Sequence, residues 1–420
     1  MGLLDIFFKK KQENRNYGYD LSYPSFFNAS SGEVISKDQS LRLTTVWSCV
    51  KIISETIASL PISLYEQDEN GRKNILYQNP LSQLVGERPS PLYNSFSFFE
   101  RTLIDLCLEG NFYAYIERNG GGLPTALFPI LCEDVKVYVS PEGRDVYYDI
   151  KQNVSIPYPI TGKVSSQNML HIRGLSTDGI VGKSPIQSAA ESIGISLALD
   201  KYAGSFYKNS ASVSGILQHP GTLKPETAKR LRASWNSTYG GSINSGKTAI
   251  LEEGMTWTPR AIPNNQAQFL ETRQMQVSEI CRIFRVPNHL VNDLNKISYN
   301  SIEAQQIDFV QSTITPWVRR IEIALNHKLI PKNNRPSQYF KFNLNAIMRG
   351  DTKARADYYR TLVNIGVLTP DEVRAYEDLN SIGGANEKTY MQSNMLPLED
   401  LGQSTTRNNI KEQDAQQEES

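Results

Sequence analysis

A chain of 420 residues is long enough for two or three domains around a large core. Its 44 Lys and Arg are balanced by 44 Asp and Glu, a formal charge of zero, which excludes the basic excess that tight, general nucleic-acid binding requires. No apolar run reaches about 18 residues, and the lysines near the start follow the apolar Met1-Gly2-Leu3-Leu4-Asp5-Ile6-Phe7-Phe8 stretch instead of preceding it, so the expectation is a soluble protein, intracellular when made, with neither membrane span nor signal peptide.

Residues 1–39 read as a flexible arm, polar and rich in Lys, Asn and Ser from residue 9 on. Between Leu41 and Leu60, Leu43, Val46, Trp47, Val50, Ile53, Ile57 and Leu60 fall on one helical stripe, which Pro61 ends. Ile62 and Leu64 then alternate with polar residues ahead of Asn70-Gly71, a pair that tolerates positive φ and predicts a hairpin turn. A second helix carries Phe99, Leu103 and Leu106 and closes at Gly110. Short strands follow, Phe112–Glu117, Val135–Val139 and Val146–Ile150, separated by Gly120-Gly121-Gly122 and Pro-rich turns, so residues 40–184 read as α+β.

Ser184-Pro185 opens a helix expected to run to about Asn209, whose small residues Ala189, Ala190, Gly194 and Ala198 predict close packing against another helix. Residues 211–262 form a compact insertion: a strand over Gly215–Gln218, a helix from Pro225 carrying Leu231 and Trp235, then strands near Ala249-Ile250-Leu251 and Met255–Thr258. A helix over Gln266–Phe284 has a narrow apolar line, Phe269, Val277, Ile280 and Phe284, and ends before Pro287. The loop Asn288–Asn300 leads to a long helix over Ser301–Leu329, with Ile307, Val310, Ile314, Trp317, Val318, Ile321 and Leu325 at helical spacing and a kink expected at Pro316. Unbroken, it spans about 43 Å at about 1.5 Å per residue. Thr369-Pro370-Asp371-Glu372 supplies a cap, a first-turn proline and a capping-box acid. Residues 402–420, almost without apolar side chains, read as a disordered tail.

Few residues propose chemistry. Gly241-Ser242-Ile243-Asn244-Ser245-Gly246-Lys247-Thr248 satisfies the GxxxxGK[ST] phosphate-loop pattern, but such a loop needs a buried strand before it and a helix after it. Here a helix precedes and a short strand follows, so it reads as a Gly/Ser/Asn surface loop, and a phosphate-loop ATPase stands only as the alternative. His171, His219, His289 and His327 are scattered without a second ligand at metal spacing and read as structural or exposed. No GxSxG elbow exists. Glu133-Asp134 and Glu252-Glu253 read as turn or surface acids. Cys49, Cys107, Cys132 and Cys281 form no CxxC pair and read as reduced core residues. No enzyme, cofactor or metal is expected.

Taken in order, several segments resemble the portal proteins of long-tailed double-stranded DNA phages. The resemblance covers about residues 38–395. It rests on Thr44-Thr45-Val46-Trp47-Ser48-Cys49-Val50-Lys51-Ile52-Ile53 running into Leu60-Pro61, on Glu87-Arg88-Pro89, and on Gly110-Asn111-Phe112-Tyr113-Ala114-Tyr115-Ile116. It continues through His171-Ile172-Arg173-Gly174, Asp178-Gly179, Gly182-Lys183-Ser184-Pro185, Phe284-Arg285-Val286-Pro287, Tyr299-Asn300-Ser301-Ile302-Glu303 and Thr315-Pro316-Trp317 ahead of Ile321-Glu322. Two departures are visible: Ser90 stands where the family commonly has Asn, another turn residue, and Asn288-His289 follow Pro287 where a second proline is common.

The resemblance implies an elongated α+β subunit. It divides into the arm (1–39), an α+β wing (40–184), a stem helix (185–210), a small α/β clip insertion (211–262), a second stem helix (263–287), a tunnel loop (288–300), a spine helix with wing return (301–350), a helical crown (351–401) and the tail (402–420). It further implies a homododecameric ring at one capsid vertex, made in the host cytoplasm and carried in the virion. DNA passes through the ring during packaging and ejection while a separate terminase hydrolyses ATP; the head–tail adaptor, major capsid protein and scaffold are further partners. Asn292, Asn295, Lys296 and Tyr299 are the tunnel-loop residues expected to face DNA. Arg230, Arg232 and Lys247 of the clip are expected to face DNA or a partner. A structural connector of another class, lacking the helix–loop–helix over 266–329, is the remaining alternative.

Overall fold

The computed structural model describes residues 19–20, 26–69, 71–153, 158–208, 215–239, 251, 254–259, 266–291, 305–344, 347, 352–377 and 379–390, in two compact units, Met1–Leu344 and Asn345–Ser420. The first unit is α+β. In chain order it holds β1 (Tyr19–Asp20), β2 (Phe26–Asn28), β3 (Val34–Ser36), the short α1 (Lys37–Ser40), α2 (Thr44–Ala58), β4 (Ile62–Gln67), β5 (Lys73–Ile75), α3 (Pro80–Gly86) and α4 (Ser95–Glu109). Then come β6 (Asn111–Arg118), β7 (Pro124–Ile130), β8 (Val135–Val139), β9 (Val146–Ile150), β10 (Gly162–Ser165), β11 (Met169–Arg173), α5 (Pro185–Ser188) and α6 (Ala190–Lys208). The insertion adds β12 (Gly215–Gln218), α7 (Pro225–Tyr239) and β13 (Thr256–Pro259); α8 (Gln266–Phe284), α9 (Thr315–Leu329) and β14 (Gln338–Phe342) complete the unit.

Helices α2 and α4 pack against each other and carry the centre of the core. Asn94 caps α4 by accepting from Ser97 N at 2.8 Å, and Gly110 ends it in the left-handed region at φ 73°, the cap pair that helices favour. Phe98, Phe99, Phe112 and Phe342 meet edge-on at 5.2–5.5 Å between ring centroids, so α4, β6 and β14 share one aromatic cluster. Val46, Val50, Ile53 and Ile57 of α2 are buried, but Trp47 is 55 % exposed. The expected stripe was therefore too wide: the neighbours of α2 cover the Val46–Val50–Ile53–Ile57 line and leave its Trp47 edge open.

Three main sheets are antiparallel throughout, ordered β1-β8-β9-β10, β11-β6-β7 and β14-β4-β5. Tyr113, Ile130, Val137, Tyr148, Ile150, Val164 and Met169 form a second cluster shared by the first two sheets. In the third, β14 lies at an edge and pairs only with β4. Two of its outward N–H groups are met from α9: Phe342 N donates to Glu322 Oε1 at 2.9 Å and Phe340 N donates to Asn326 Oδ1 at 2.6 Å. Two side chains four residues apart thus seal an edge that otherwise templates further pairing. Glu322→Ala leaves a buried N–H without an acceptor, so we expect a loss of about 2 kcal/mol in urea unfolding, against less than about 1 kcal/mol for Glu322→Gln.

One expected long helix is broken, and the other is modified ahead of Pro316. The predicted Ser184–Asn209 helix is split at Ala189, where φ is −102° and ψ 7°; the Ser188 hydroxyl donates back to Ser184 O at 3.2 Å, a competing bond that bends helices. Its small face meets the β2–β3 turn: a Cβ on Gly194 would stand 2.4 Å from Ala29 Cβ. At Pro316 the helix widens rather than merely kinking, with a π turn over Phe309–Ile314 just before α9. Pro316 cannot donate to the Ser312 carbonyl, and the wide turn is closed by Thr315, whose N–H reaches Val310 O and whose hydroxyl donates to the same oxygen at 2.8 Å.

In the second unit α10 (Thr352–Asn364) and α11 (Pro370–Tyr376) are helical. The capping box at Thr369 is formed: Glu372 N donates to Thr369 Oγ1 at 3.1 Å and Thr369 N to Glu372 Oε2 at 2.8 Å. Tyr359 stacks on Tyr376 and donates to Glu377 Oε1 at 2.9 Å. The predicted tail after Gly402 lies outside the described residues.

Candidate functional site

The stretch with most functional content is the helix–loop–helix from α8 to α9. Helix α8 ends in a Schellman motif: Val286 N donates to Cys281 O at 2.9 Å and Arg285 N to Arg282 O at 3.2 Å. The residue in the left-handed position is Arg285, φ 55°, the one non-glycine with positive φ among the described residues. Glycine is usual there, and a side chain with a Cβ costs about 1–2 kcal/mol. The position is held from across the loop, since Thr313 Oγ1 donates to Arg285 O at 2.6 Å and the Arg285 guanidinium to Ser312 O at 3.5 Å. That acceptor is the carbonyl Pro316 leaves without an intrahelical donor, so the strained residue and the π turn are fitted to each other.

The base of the loop is tied further out as well. Asn288 Nδ2 donates to Ser278 Oγ at 3.0 Å, and His289 Nδ1 lies 2.7 Å from Gln305 Oε1. His289 thus joins the two strands of chain that leave and re-enter the helices. The loop residues singled out from the sequence, Asn292, Asn295, Lys296 and Tyr299, lie outside the described residues.

In the insertion β12 and β13 pair antiparallel, Ile216 opposite Thr258. Arg230 and Arg232 are exposed on α7; two residues apart, they point about 200° from one another around the helix and address different directions. Lys247 and the rest of the GxxxxGKT segment lie outside the described residues, but the element leading into it is α7, a helix where a phosphate loop requires a strand.

A polar knot fastens the start of β6 to the chain leading into α5. Asn111 Oδ1 accepts from Gly182 N at 2.7 Å and its Nδ2 donates to Gly182 O at 2.8 Å. His171 Nε2 lies 3.1 Å from the same Oδ1, and its Nδ1 3.1 Å from Tyr148 Oη. Asn111 Oδ1 can only accept, so the ring is a neutral Nε2–H tautomer taking the tyrosine proton at Nδ1. Burial, with Arg173 and Lys328 nearby, pushes its pKa down to about 3. The signal that could have found this role was the Gly110-Asn111 pair at a helix end; nothing local marked His171 as its partner.

Nothing in the described residues resembles a catalytic centre. No group of three or more His, Cys, Asp or Glu there could hold a metal ion, and no described helix is long and apolar enough to cross a membrane. None of the four cysteines is in a disulfide. Cys49 and Cys281 lie 4.0 Å apart and buried, joining α2 to α8; their contact and burial raise the Cys49 thiol, and burial pushes Cys107 up to about 12. Thiols so raised are packing groups, not nucleophiles.

Comparison with known proteins places this architecture. The chain is 34 % identical over 384 residues to the probable portal protein of Streptomyces phage phiC31, spanning 89 % of this chain and 83 % of that one. It is 30 % identical over 372 residues to the portal protein of Enterobacteria phage HK97, spanning 88 % and 86 %. In fold it matches a chain from the neck of a native gene transfer agent particle computed with C12 symmetry, TM-score 0.57 at 20 % identity over 90 % of this chain and 99 % of that one. It also matches a crystal structure of an HK97-family phage portal protein from Corynebacterium diphtheriae, TM-score 0.56 at 15 % identity over 76 % and 99 %. With the family model described as phage portal protein matching residues 44–378, the chain belongs to the phage portal protein family.

Proposed function

We propose that this chain works as a ring subunit at one vertex of a phage capsid, enclosing the double-stranded genome as it is packaged and later ejected. The observation that carries this is the portal family match over residues 44–378; the firmly tied base of the loop between α8 and α9 supports it. On this reading residues 40–184 with the return over 301–350 form the wing, 185–210 and 263–287 the stem, and 211–262 the clip, facing terminase during packaging and the head–tail adaptor afterwards. Residues 288–300 form the tunnel loop, with Asn292, Asn295, Lys296 and Tyr299 toward DNA, and 351–401 the crown inside the capsid. The subunit catalyses nothing and takes no cofactor; the terminase hydrolyses ATP. Zero net charge suits a channel wall, because each phosphate contact to a lysine strengthens binding and slows a sliding duplex.

Electron microscopy with native mass spectrometry on the purified full chain tests this. Closed rings of about twelve copies, the symmetry of the gene transfer agent neck, with a pore admitting a duplex, are expected. A monomer or dimer across a range of salt and protein concentration, together with ATP binding abolished by Lys247→Ala, would overturn it in favour of a motor ATPase.

A further inference from the structure

Two cavities of about 540 and 640 Å³ adjoin along the C-terminal half of α9, sharing Ser166, His327 and Lys328. Arg144, Arg173, Arg320 and Lys328 line the first; Arg118, Lys328, Lys332 and Arg335 line the second; Asp145 is the one carboxylate in either wall. Among the described residues none of these cations forms an ion pair with a carboxylate. Several instead donate to backbone carbonyls: Arg118 to Lys328 O at 2.8 Å, Arg335 to His327 O at 2.6 Å, Arg320 to Gly174 O at 2.8 Å, and Lys328 to Ser166 O.

Closing the C-terminal end of a helix accounts for part of this, because its last carbonyls favour cations. That end carries about half an elementary charge, which Arg118 and Arg335 already exceed. Lys332 and Arg144 are exposed and contribute nothing to the cap. The excess is felt locally: burial and the charges of Arg118, Arg173 and Arg335 lower the Lys328 pKa, and burial with Arg335, Lys328 and Lys332 lowers His327. In a chain of zero net charge, so concentrated a surplus marks a surface built for an anion.

We propose that the paired cavities dock an acidic polypeptide segment of a partner, its carboxylates entering the two cavities astride Lys328. Two observations favour a polypeptide over nucleic acid. Arg118 and Arg335 are half-buried and pinned to carbonyls, so side chains that reach inward meet them better than phosphates on a convex duplex. Apolar side chains also stand in the same walls: Ile323 is 55 % and Leu123 45 % exposed. A phosphate backbone has no apolar groups to cover them, whereas an acidic segment with interleaved leucines does.

The test is fluorescence anisotropy of the full chain with a fluorescein-labelled peptide of repeating Glu-Leu-Glu-Ala, competed by the same peptide with Gln for Glu and by a short DNA duplex. Saturable binding that weakens as salt rises, resists both competitors, and falls roughly tenfold in an Arg144→Glu, Lys332→Glu double variant is expected. Both substitutions are on exposed side chains outside the carbonyl clamp, and an unchanged melting temperature verifies folding. A second variant, Ile323→Ser, checks the apolar part by weakening the peptide and leaving salt dependence unchanged. Displacement by duplex as effective as by unlabelled peptide, or no saturable binding, overturns the proposal.

Discussion

Gly182→Ala is expected to leave little folded protein. A Cβ at residue 182 would lie 2.0 Å from Gly110 O and 3.0 Å from both Gly110 C and Gly174 N. These are backbone atoms, which cannot rotate aside as a side chain does. Nor can the chains part freely, because Gly174 N donates to Gly110 O at 2.8 Å, Asn111 grips both polar groups of Gly182, and Ser184 Oγ donates to Leu108 O at 2.6 Å. Separation costs about 1 kcal/mol per bond on top of about 1–3 kcal/mol for overpacking, a sum above about 4 kcal/mol against a whole-domain stability of about 5–15 kcal/mol. Gly110→Ala should be at least as severe, since its Cβ would stand 2.1 Å from Lys183 O and its φ of 73° is left-handed. Gly179 is the control. It too has positive φ, 75°, but nothing lies within 4 Å of its missing Cβ, so Gly179→Ala should cost only about 1–2 kcal/mol. Urea unfolding of the three variants orders them, and a Gly182→Ala protein as stable as Gly179→Ala would show that the knot gives way.

The same knot explains why the family was legible in the sequence while its reason was not. Gly110-Asn111, His171–Gly174 and Gly182–Pro185 stand far apart in the chain as quoted motifs, yet they meet around Asn111 and the backbone of Gly182. Local signals gave the helix ends at Gly110 and at the Thr369–Glu372 box, because both act within one turn. The π turn, the break at Ala189 and the exposed Trp47 depend on what lies across from them, and no spacing within one element encodes that. Arg285 is the sharpest case. A left-handed cap is written with glycine when only the turn matters, and an arginine there is intelligible only once Thr313 and Ser312 are seen opposite.

The candidate site was legible as a helix, a loop and a helix, and the structure adds the ties at its base: Arg285 with Thr313 and His289 with Gln305. The basic cavities were invisible for a different reason. Their cations come from separate stretches around Arg118, Arg144, Arg173 and the end of α9, so no charge run forms, and a balanced composition conceals a local surplus.

Acid should reveal two groups working against each other, the half-buried His171 and the buried Asp105. His171 is held at about pKa 3 by burial and nearby Arg173 and Lys328, while an unfolded histidine titrates near about 6.5. From about pH 6.5 down to about pH 3 the unfolded chain therefore takes up a proton the folded chain refuses, and stability falls. Asp105 is opposite in sign: burial, only partly offset by Arg101, pushes its carboxyl up to about 6, above an unfolded value near about 3.9. Between about pH 6 and about pH 4 the folded chain binds that proton first, and stability rises as pH falls. Each effect is bounded by about 1.4 kcal/mol per pH unit. Over the shared window they largely cancel, so for these two groups the native curve is flat there and His171 dominates only below about pH 4. His171→Gln removes the losing partner and should gain about 2–3 kcal/mol relative to wild type between pH 6.5 and pH 4, where Asp105 acts unopposed. Asp105→Asn removes the gaining partner and should start losing stability near about pH 6.5. Differences between urea unfolding curves at pH 4, 5, 6 and 7 isolate the two terms, because every other carboxylate contributes alike to all three proteins. Parallel curves would mean that His171 takes up its proton in the folded chain, and that the Asn111–His171–Tyr148 chain of hydrogen bonds accommodates the charge.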